Sequence, residues 1–395
     1  MNIFNIPSWY PSARNPIYGT FVKEQIALLA RLNPSWNLAV STWGQGDPAH
    51  MLWAKDTVKN IAKIIHHQPA RTLSERHENL YHFHTPTLTW TRKVLHGNLR
   101  GLIRANESNL KRFEQSVGKM DVIHAQATYP GALVAQALNR KFGIPYVVSI
   151  RMSPFPFSEF LDKKGNLKPF IAAPLAGANR LIATSHSLEK TLHSFGLEHV
   201  TVVHNPVDLD FFHPIVFTPK KLTLLTVGRM EKQKGFDLLI RAMAMLGTDF
   251  DGILRIGGDG RFLAEYQQLA RSLGVADRIV WLGELSREQV RDEMQHCSFY
   301  VLPSRHETFG NVLLEAMACG KPVMATRCGG PEDILTDEVG LLIENENVEA
   351  LAKGIQTMIK LARFDSHHIR ANVCARFSPE GFSNEMIRLY AKVIG

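Results

Sequence analysis

Short runs of apolar residues recur along this chain. Between them lie longer segments in which apolar positions return every three or four residues. Asn2-Ile-Phe-Asn-Ile6, Leu38 to Thr42, Val122-Ile-His-Ala125, Tyr146 to Ile150, Leu181 to Ser185 and Val200 to His204 are runs of the first kind. Their hydrophobicity is continuous rather than alternating, which predicts strands buried on both faces, as in a parallel sheet. After Pro7 to Gly19, a loop rich in Pro, Ser and Gly, the spacing predicts a helix over 20–32 with Phe21, Ile26, Leu28 and Leu29 in the core. A second amphipathic helix is predicted over 92–112, softened at Gly97 and Gly101. Another helix starts at Ser187.

The second half repeats the arrangement. Strands are predicted at Leu222 to Val227, Ile253 to Gly258, Ile279 to Leu282, Phe299 to Leu302 and Pro322 to Thr326. Helices fall between them at about Gly235 to Leu246, Arg261 to Leu273 and Arg287 to Met294. The pattern is α/β: two doubly wound domains joined near Asn205-Pro-Val-Asp208, with Pro206 stiffening the joint. Asp208-Leu-Asp210 reads as a cap after that proline. Ligands of such sheets bind outside the carboxyl ends of the strands, and two such domains facing each other enclose one cleft. No internal repeat or low-complexity tract is present.

At 395 residues the chain suits two domains. No apolar run approaches the length of a membrane span, and the first residues lack the basic and apolar regions of a signal peptide. Cys297, Cys319, Cys328 and Cys374 show no Cys-x-x-Cys spacing and read as reduced thiols of a cytoplasmic protein. The net charge of +8 is unevenly spread: residues 1–200 carry 23 Lys and Arg against 12 Asp and Glu, the remainder 22 against 25. The excess is dense at Arg92, Lys93, Arg100, Arg104, Lys111 and Arg112. Two readings of it stand, a solvated helix face or contact with an anionic partner such as a membrane surface. No nucleic-acid-binding module accompanies the charge, so nucleic acid is not expected as a partner.

Candidate chemistry concentrates between Pro303 and Pro322. Glu307 lies in a loop, Phe309-Gly310-Asn311 opens a helix, Glu315 lies inside it about two turns on from Glu307, and Gly320 with Pro322 ends it. The first amides of a helix lack intrahelical partners and can receive an anion. One element therefore offers a phosphate seat between two hydroxyl-binding carboxylates, an arrangement suited to a sugar on a nucleoside diphosphate. Gly228-Arg229-Met-Glu-Lys-Gln-Lys234 follows a strand and places a guanidinium and an ammonium on one loop, which either matches a diphosphate or is a solvated basic loop. Gly19, before the first helix, permits close approach of a phosphate or sugar, or is simply a turn. His124 ends an apolar strand and is either a satisfied core histidine or a cleft residue, with Gln126 on the same face. Arg327-Cys-Gly329-Gly330 makes a loop that can lie against a ligand, or is a plain turn. No dinucleotide fingerprint, Walker motif, nucleophile elbow or metalloprotease motif occurs, so no resident cofactor and no dedicated metal site are expected.

Three segments resemble the group 1 glycosyltransferases, the retaining family 4. They are Gly228-Arg-Met-Glu-Lys-Gln-Lys-Gly235, Pro303-Ser-Arg-His-Glu-Thr-Phe-Gly310 continuing through Glu315-Ala-Met-Ala-Cys-Gly-Lys-Pro-Val323, and Asn205-Pro-Val-Asp-Leu-Asp-Phe-Phe212. Tyr18-Gly-Thr-Phe-Val-Lys-Glu-Gln25, Ala183-Thr-Ser-His-Ser187 and Gly258-Asp-Gly260 match more loosely. The resemblance implies the GT-B architecture, two facing Rossmann-like domains with a cleft between them. These would be an acceptor-side domain over 1–204 and a nucleotide-sugar domain over 205–378, with residues 379–395 crossing back as a helix. It implies that Arg229 and Lys234 hold the donor diphosphate and that Glu307 binds the donor sugar near the reacting centre. It further implies that Glu315 grips the ribose, that the amides of Phe309, Gly310 and Asn311 meet the distal phosphate, and that Leu285 lies near the base. Gly19 and His124 complete the candidate set. The implied reaction is retaining transfer without a metal, on a nucleoside-diphosphate sugar as substrate. Relatives often carry His-Ala-His where this chain has His124-Ala-Gln126, and an Arg-Gly or His-Gly turn where it has Arg151-Met-Ser-Pro154.

The aromatic segment Pro154 to Phe160 is either a satellite hydrophobic cluster or a wall of the acceptor pocket or membrane contact, and with the basic first domain the expected acceptor is a lipid-linked or polysaccharide intermediate of a bacterial envelope. It would be met at the inner face of the cytoplasmic membrane. Alternatives are a soluble transferase making a small glycoside or sugar phosphate, and a catalytically silent nucleotide-sugar-binding protein.

Overall fold

The computed structural model describes residues 1–395 except 13, 16–17, 54–55, 68–71, 92–93, 95–96, 218–219, 248–249 and 361–363. The chain forms two units. The first comprises Met1–Thr184, Glu189–Val203 and Ser383–Gly395; the second comprises Ser185–Leu188 and His204–Phe382.

In chain order, the first stretch of the chain forms β1 (Asn2–Ile6), α1 (Thr20–Leu32), β2 (Asn37–Thr42), α2 (Thr57–Ile65), β3 (Leu73–His77), β4 (Leu80–His84) and α3 (Leu99–Val117). It continues with β5 (Val122–Ala125), α4 (Leu133–Phe142), β6 (Tyr146–Ser149), α5 (Pro169–Ala176), β7 (Arg180–Ala183), α6 (His186–Ser194) and β8 (Val200–Val202). The sheet runs β3-β4-β2-β1-β5-β6-β7-β8. All pairs are parallel except the β3–β4 hairpin. β1 lies between β2 and β5, with Phe4 opposite both Ala39 and Ile123. Strands β1, β5 and β6 are buried almost throughout, which explains their unbroken apolar sequence.

The second unit contains β9 (Leu222–Val227), α7 (Phe236–Met245), β10 (Gly252–Gly257), α8 (Leu263–Ser272), β11 (Ile279–Gly283), α9 (Arg287–His296) and β12 (Phe299–Leu302). It continues with α10 (Asn311–Ala318), β13 (Val323–Thr326), α11 (Pro331–Ile334), β14 (Gly340–Ile343), α12 (Val348–Lys360) and α13 (Ser366–Phe377). Its sheet is β11-β10-β9-β12-β13-β14, parallel throughout. The chain works outward from β9 to β10 and β11, then returns to β12 on the other side of β9. The switch point of this sheet therefore lies between β9 and β12. α14 (Pro379–Ile394) follows, and from Ser383 onward it belongs to the first unit. There Ser383 Oγ accepts from Asn33 Nδ2 at 2.9 Å, and Tyr390 sits edge-on to Trp36.

Several expectations need correction. α1 buries Val22, Gln25, Ile26, Leu29 and Ala30, whereas Phe21 and Leu28 are only half-buried. The face turned inward is rotated by one residue from the predicted stripe. The helix expected over 92–112 begins at Leu99, because Gly97 and Asn98 take positive φ of 72° and 69°. The Asn98 side chain then accepts the Gly101 amide at 3.2 Å and caps the helix. Arg92 and Lys93 lie outside the described residues. Asp208 accepts from the Phe211 amide at 3.1 Å and so caps a turn, not a helix.

Candidate active site

The two loops at the switch point of the second sheet carry the strongest sequence candidates. The loop after β9 holds Arg229 and Lys234; the loop after β12 holds Glu307. Lys234 Nζ donates to Glu307 Oε1 at 2.6 Å, and Ser304 Oγ donates to the same oxygen at 2.8 Å. The pair is substantially enclosed: the Glu307 side chain is 9% exposed and that of Lys234 24%. Arg229 projects from the same loop and is exposed, while its neighbour Met230 is fully buried and anchors the turn.

Backbone contact between these loops is close enough to dictate their residues. Gly235 takes φ +65°, and a Cβ there would stand 2.0 Å from the Pro303 carbonyl oxygen. The Arg305 amide donates to the Gln233 carbonyl at 2.7 Å, and Gln233 Nε2 donates to the His306 carbonyl at 2.8 Å. Arg305 then fastens both loops. Its guanidinium donates to Asp237 Oδ1 and Oδ2 at 2.9 and 2.8 Å, to the Lys232 carbonyl at 2.6 Å and to Glu346 at 2.9 Å. Burial alone would raise the Asp237 carboxyl, but the bidentate guanidinium holds it below the usual range. Arg305 was not among the sequence candidates, since its role appears only once β9 and β12 are neighbours.

Glu307 is also tied to the glycine loop after β13. Its amide donates to the Cys328 carbonyl at 3.1 Å and its carbonyl accepts from Gly330 at 2.8 Å. A Cβ on Gly330 would lie 2.2 Å from the Phe309 Cα, so this loop packs directly on the start of α10. Gly310, at φ +104°, precedes α10, and no side chain caps that helix start. The amides of Phe309, Gly310 and Asn311 lie there, and Glu315 is half-buried one turn further on. Asn205 Nδ2 donates to Asn311 Oδ1 at 2.9 Å, and the His204 ring stacks on Phe309 at 5.4 Å.

Leu285 follows β11 and rests over Gly257, where an added Cβ would come within 2.6 Å of its Cδ1. The structure thus groups Arg229, Lys234, Glu307, Phe309, Gly310, Asn311, Glu315 and Leu285 on loops and a helix at the carboxyl end of one sheet.

Gly19 and His124 belong to the first unit. Gly19 has φ +77°, and a Cβ would meet the Trp9 carbonyl at 2.5 Å, so the turn needs glycine for its own packing. His124 is 1% exposed. Its Nδ1 is 2.7 Å from the Tyr390 hydroxyl and its Nε2 is 2.8 Å from Ser149 Oγ. Burial, with Arg151 nearby, pushes its imidazole well below the usual range, so the ring is neutral. Gln126 Nε2 donates to Asn5 Oδ1 at 3.1 Å, and its Oε1 accepts from Arg151 Nε at 3.0 Å. Of the two roles weighed for His124, the geometry matches the satisfied core histidine.

Among the described residues one group has metal-ligating potential: His186, His204 and Asp333, whose ligand atoms lie within 4.8 Å of one another. Asp333 Oδ2 already accepts the His186 amide at 2.7 Å and stands 3.1 Å from His204 Nε2. These contacts offset burial and hold the Asp333 carboxyl below its ordinary range. The cluster reads as a hydrogen-bonded brace behind Phe309.

A sequence model described as "Glycosyl transferases group 1" matches residues 210–373, the segment that builds this site. Another, "Glycosyltransferase Family 4", matches 63–211. D-inositol 3-phosphate glycosyltransferase 1 of Catenulispora acidiphila is 30% identical over 303 residues, 69% of this chain and 72% of that one. This chain is a group 1 glycosyltransferase. Its fold is GT-B. Sucrose-phosphate synthase from Thermosynechococcus elongatus superposes with a TM-score of 0.75 at 20% identity over 99% of both chains. HepE of Anabaena, solved in complex with UDP, superposes with a TM-score of 0.70 at 19% identity, over 99% of this chain and all of its own. As a member of this family the enzyme transfers a sugar from a nucleotide sugar. No described helix is long and apolar enough to cross a membrane.

Proposed function

We propose that this glycosyltransferase is retaining and metal-independent, and that its acceptor is a lipid-linked or polysaccharide intermediate of a bacterial cell envelope. The observation that carries the donor reading is the Lys234–Glu307 pair at 2.6 Å, held at the sheet's switch point beside the start of α10. The donor diphosphate lies between Arg229, Lys234 and the amides of Phe309, Gly310 and Asn311. Glu307 binds hydroxyls of the transferred sugar and Glu315 binds the ribose. Leu285 lies near the base.

The C1–oxygen bond to the distal phosphate breaks as the acceptor hydroxyl approaches C1 from the same face. The departing phosphate oxygen takes the acceptor proton, and the bonding electrons leave with the nucleoside diphosphate. Arg229 and Lys234 stabilise the charge that develops on it. Two cations and a helix start then do the work a metal would otherwise do at the leaving group. His124, neutral and hydrogen-bonded through both ring nitrogens, contributes structure to the first unit.

A second acceptor reading has its own support. The relative from Catenulispora is named for transfer to D-inositol 3-phosphate, which favours a small soluble acceptor bearing an anionic group. One experiment separates these readings. The enzyme is incubated with radiolabelled nucleotide sugars and either a bacterial lipid extract or inositol phosphates, with and without EDTA. Product in the organic phase, unaffected by EDTA and of unchanged anomeric configuration by NMR, is expected. Product only in the aqueous phase moves the acceptor to the soluble class. Inverted configuration or a requirement for metal contradicts the mechanism.

A further inference from the structure

Helix α2 is turned inside out. Around its axis Val58, Ile61, Ala62, Ile64 and Ile65 fall on one side, and Lys59, Asn60 and Lys63 on the other. In a globular domain the apolar side of such a helix packs inward. Here the polar side is the one tied to the protein. Lys63 Nζ donates to the Pro48 and Met51 carbonyls, each at 2.7 Å. Asn60 Nδ2 donates to the Trp53 carbonyl at 2.7 Å, and its Oδ1 accepts the Trp53 amide at 3.1 Å. The apolar side faces out: Val58 is 82% exposed, Ile61 54%, Ile64 53% and Ile65 72%. Trp53, whose backbone is bonded to Asn60, and Leu73, which lines one hollow with Ala62, are each about half exposed. No residue of α2 is buried.

An aliphatic face held outward by hydrogen bonds on its polar side is built to be covered, because exposing it gains nothing in water. The charge of the neighbouring sequence selects the cover. Between residues 51 and 73 the sequence has Lys55, Lys59, Lys63 and Arg71 against the single acid Asp56. The whole of residues 1–200 carries an excess of 11 basic residues, from 23 against 12. Protein interfaces have cores enriched in aromatic residues, Met and Arg and depleted in Lys. A face of Val and Ile with one Trp beside it and Lys59 exposed next to it is instead the signature of a helix lying in a bilayer surface.

We propose that α2, with Trp53, is the docking surface by which this enzyme lies on an anionic lipid bilayer. The aliphatic face enters the boundary of the acyl chains and Lys59 meets the headgroups. This deepens the lipid-acceptor reading and rests on it for its purpose, since docking brings a membrane-held acceptor to a soluble donor.

The test uses the full chain and vesicles of phosphatidylcholine, alone or with about one-third phosphatidylglycerol. Sedimentation with the anionic vesicles is expected, weakening as salt rises, with a blue shift of tryptophan emission that Trp53→Phe removes. Ile61→Glu combined with Ile65→Glu places two charges on exposed positions, so melting temperature and donor binding should not change. Vesicle binding should fall at least about tenfold. Absence of wild-type binding, or equal binding by the double variant, overturns the proposal. So does a dimer in vesicle-free solution that the double variant dissolves, which would make a second copy the occupant. Vesicle binding as expected, with sugar transferred only to soluble acceptors, leaves the docking surface standing and removes the lipid acceptor.

Discussion

Removing Lys234 should reveal two separate functions of one ion pair. In the structure its ammonium is bonded to Glu307, and a donor diphosphate must share or capture it. Lys234→Ala deletes a charge-assisted contact to the diphosphate, worth ~1.5–3 kcal/mol, or about 10- to 150-fold in affinity. It also strands the Glu307 carboxylate, 9% exposed, with Ser304 as its remaining hydrogen-bond donor among the described residues, at 2.8 Å. Breaking a fully buried pair costs about 3–5 kcal/mol; Lys234 is itself 24% exposed, so about 1–2 kcal/mol of folding stability is expected here. Glu307→Gln acts in the opposite sense on the first function. It frees the ammonium, so the nucleoside diphosphate without sugar should bind at least as tightly as to wild type, while turnover falls. Isothermal titration with the free nucleoside diphosphate, urea unfolding and steady-state kinetics on both single variants and the double variant give the full cycle. In the double variant much of the stability lost in Lys234→Ala should return. Equal weakening of nucleoside diphosphate binding by Glu307→Gln and Lys234→Ala would contradict this division, because the carboxylate would then itself be holding the diphosphate.

Arg305→Lys keeps the charge but loses the bidentate grip on Asp237, so kcat/KM should fall about tenfold, with a fall in melting temperature that Arg305→Ala exceeds; equal kinetics for the Lys variant and wild type would remove the clamp role. Gly235→Ala puts a Cβ 2.0 Å from the Pro303 oxygen at φ +65°, and urea unfolding should show a loss of more than ~2 kcal/mol. Tyr390→Phe removes one partner of His124 while Gln126 Nε2 remains 3.1 Å from the same nitrogen, so about 1 kcal/mol of stability should be lost with kcat and its pH profile unchanged; a shifted profile would return His124 to the chemistry. Burial, reinforced by His50 and His82 and by Arg112 and opposed by Asp47, pushes the His84 imidazole down to about 4. The unfolded chain takes up that proton near 6.5, so stability is full above about pH 6.5 and is lost as pH falls towards 4. His84→Gln should flatten that acid limb by up to about 2 kcal/mol, allowing for partial exposure, as read by urea unfolding across the window.

The parts of the site legible in the sequence are those whose chemistry and backbone geometry are both local. Arg229 and Lys234 follow a buried strand through a glycine, and Glu307 and Glu315 bracket a helix start, so strand–loop–helix logic places each at a sheet's carboxyl end. What brings the two loops together is not local. Arg305 has meaning only when β12 lies beside β9, an order the chain reaches after visiting β10 and β11. His124 looked equally suited to core and cleft, because its deciding partner Tyr390 is 266 residues away. The rotated face of α1 shows the limit of periodicity, which reports a stripe but tolerates one residue of error when polar Gln25 is buried in it. α2 is a sharper case. Its pattern is that of any amphipathic helix, and only Lys63 and Asn60 bonded to backbone carbonyls show that the polar face points inward. β3 is not legible in the sequence, because Leu73 to His77 is an exposed, largely polar edge strand with no apolar face to mark it.

The loops after β9 and β12 are proposed to bind a nucleoside-diphosphate sugar. The most direct test is thermal unfolding of the purified protein with UDP-, GDP-, ADP- and TDP-sugars, without added metal. The sugars of one base should raise the melting temperature, by the equivalent of about 2.7 kcal/mol at a hundredfold excess over Kd. That rise should disappear in Arg229→Ala and Lys234→Ala. No rise with any donor, or a rise that persists in both variants, would contradict that binding.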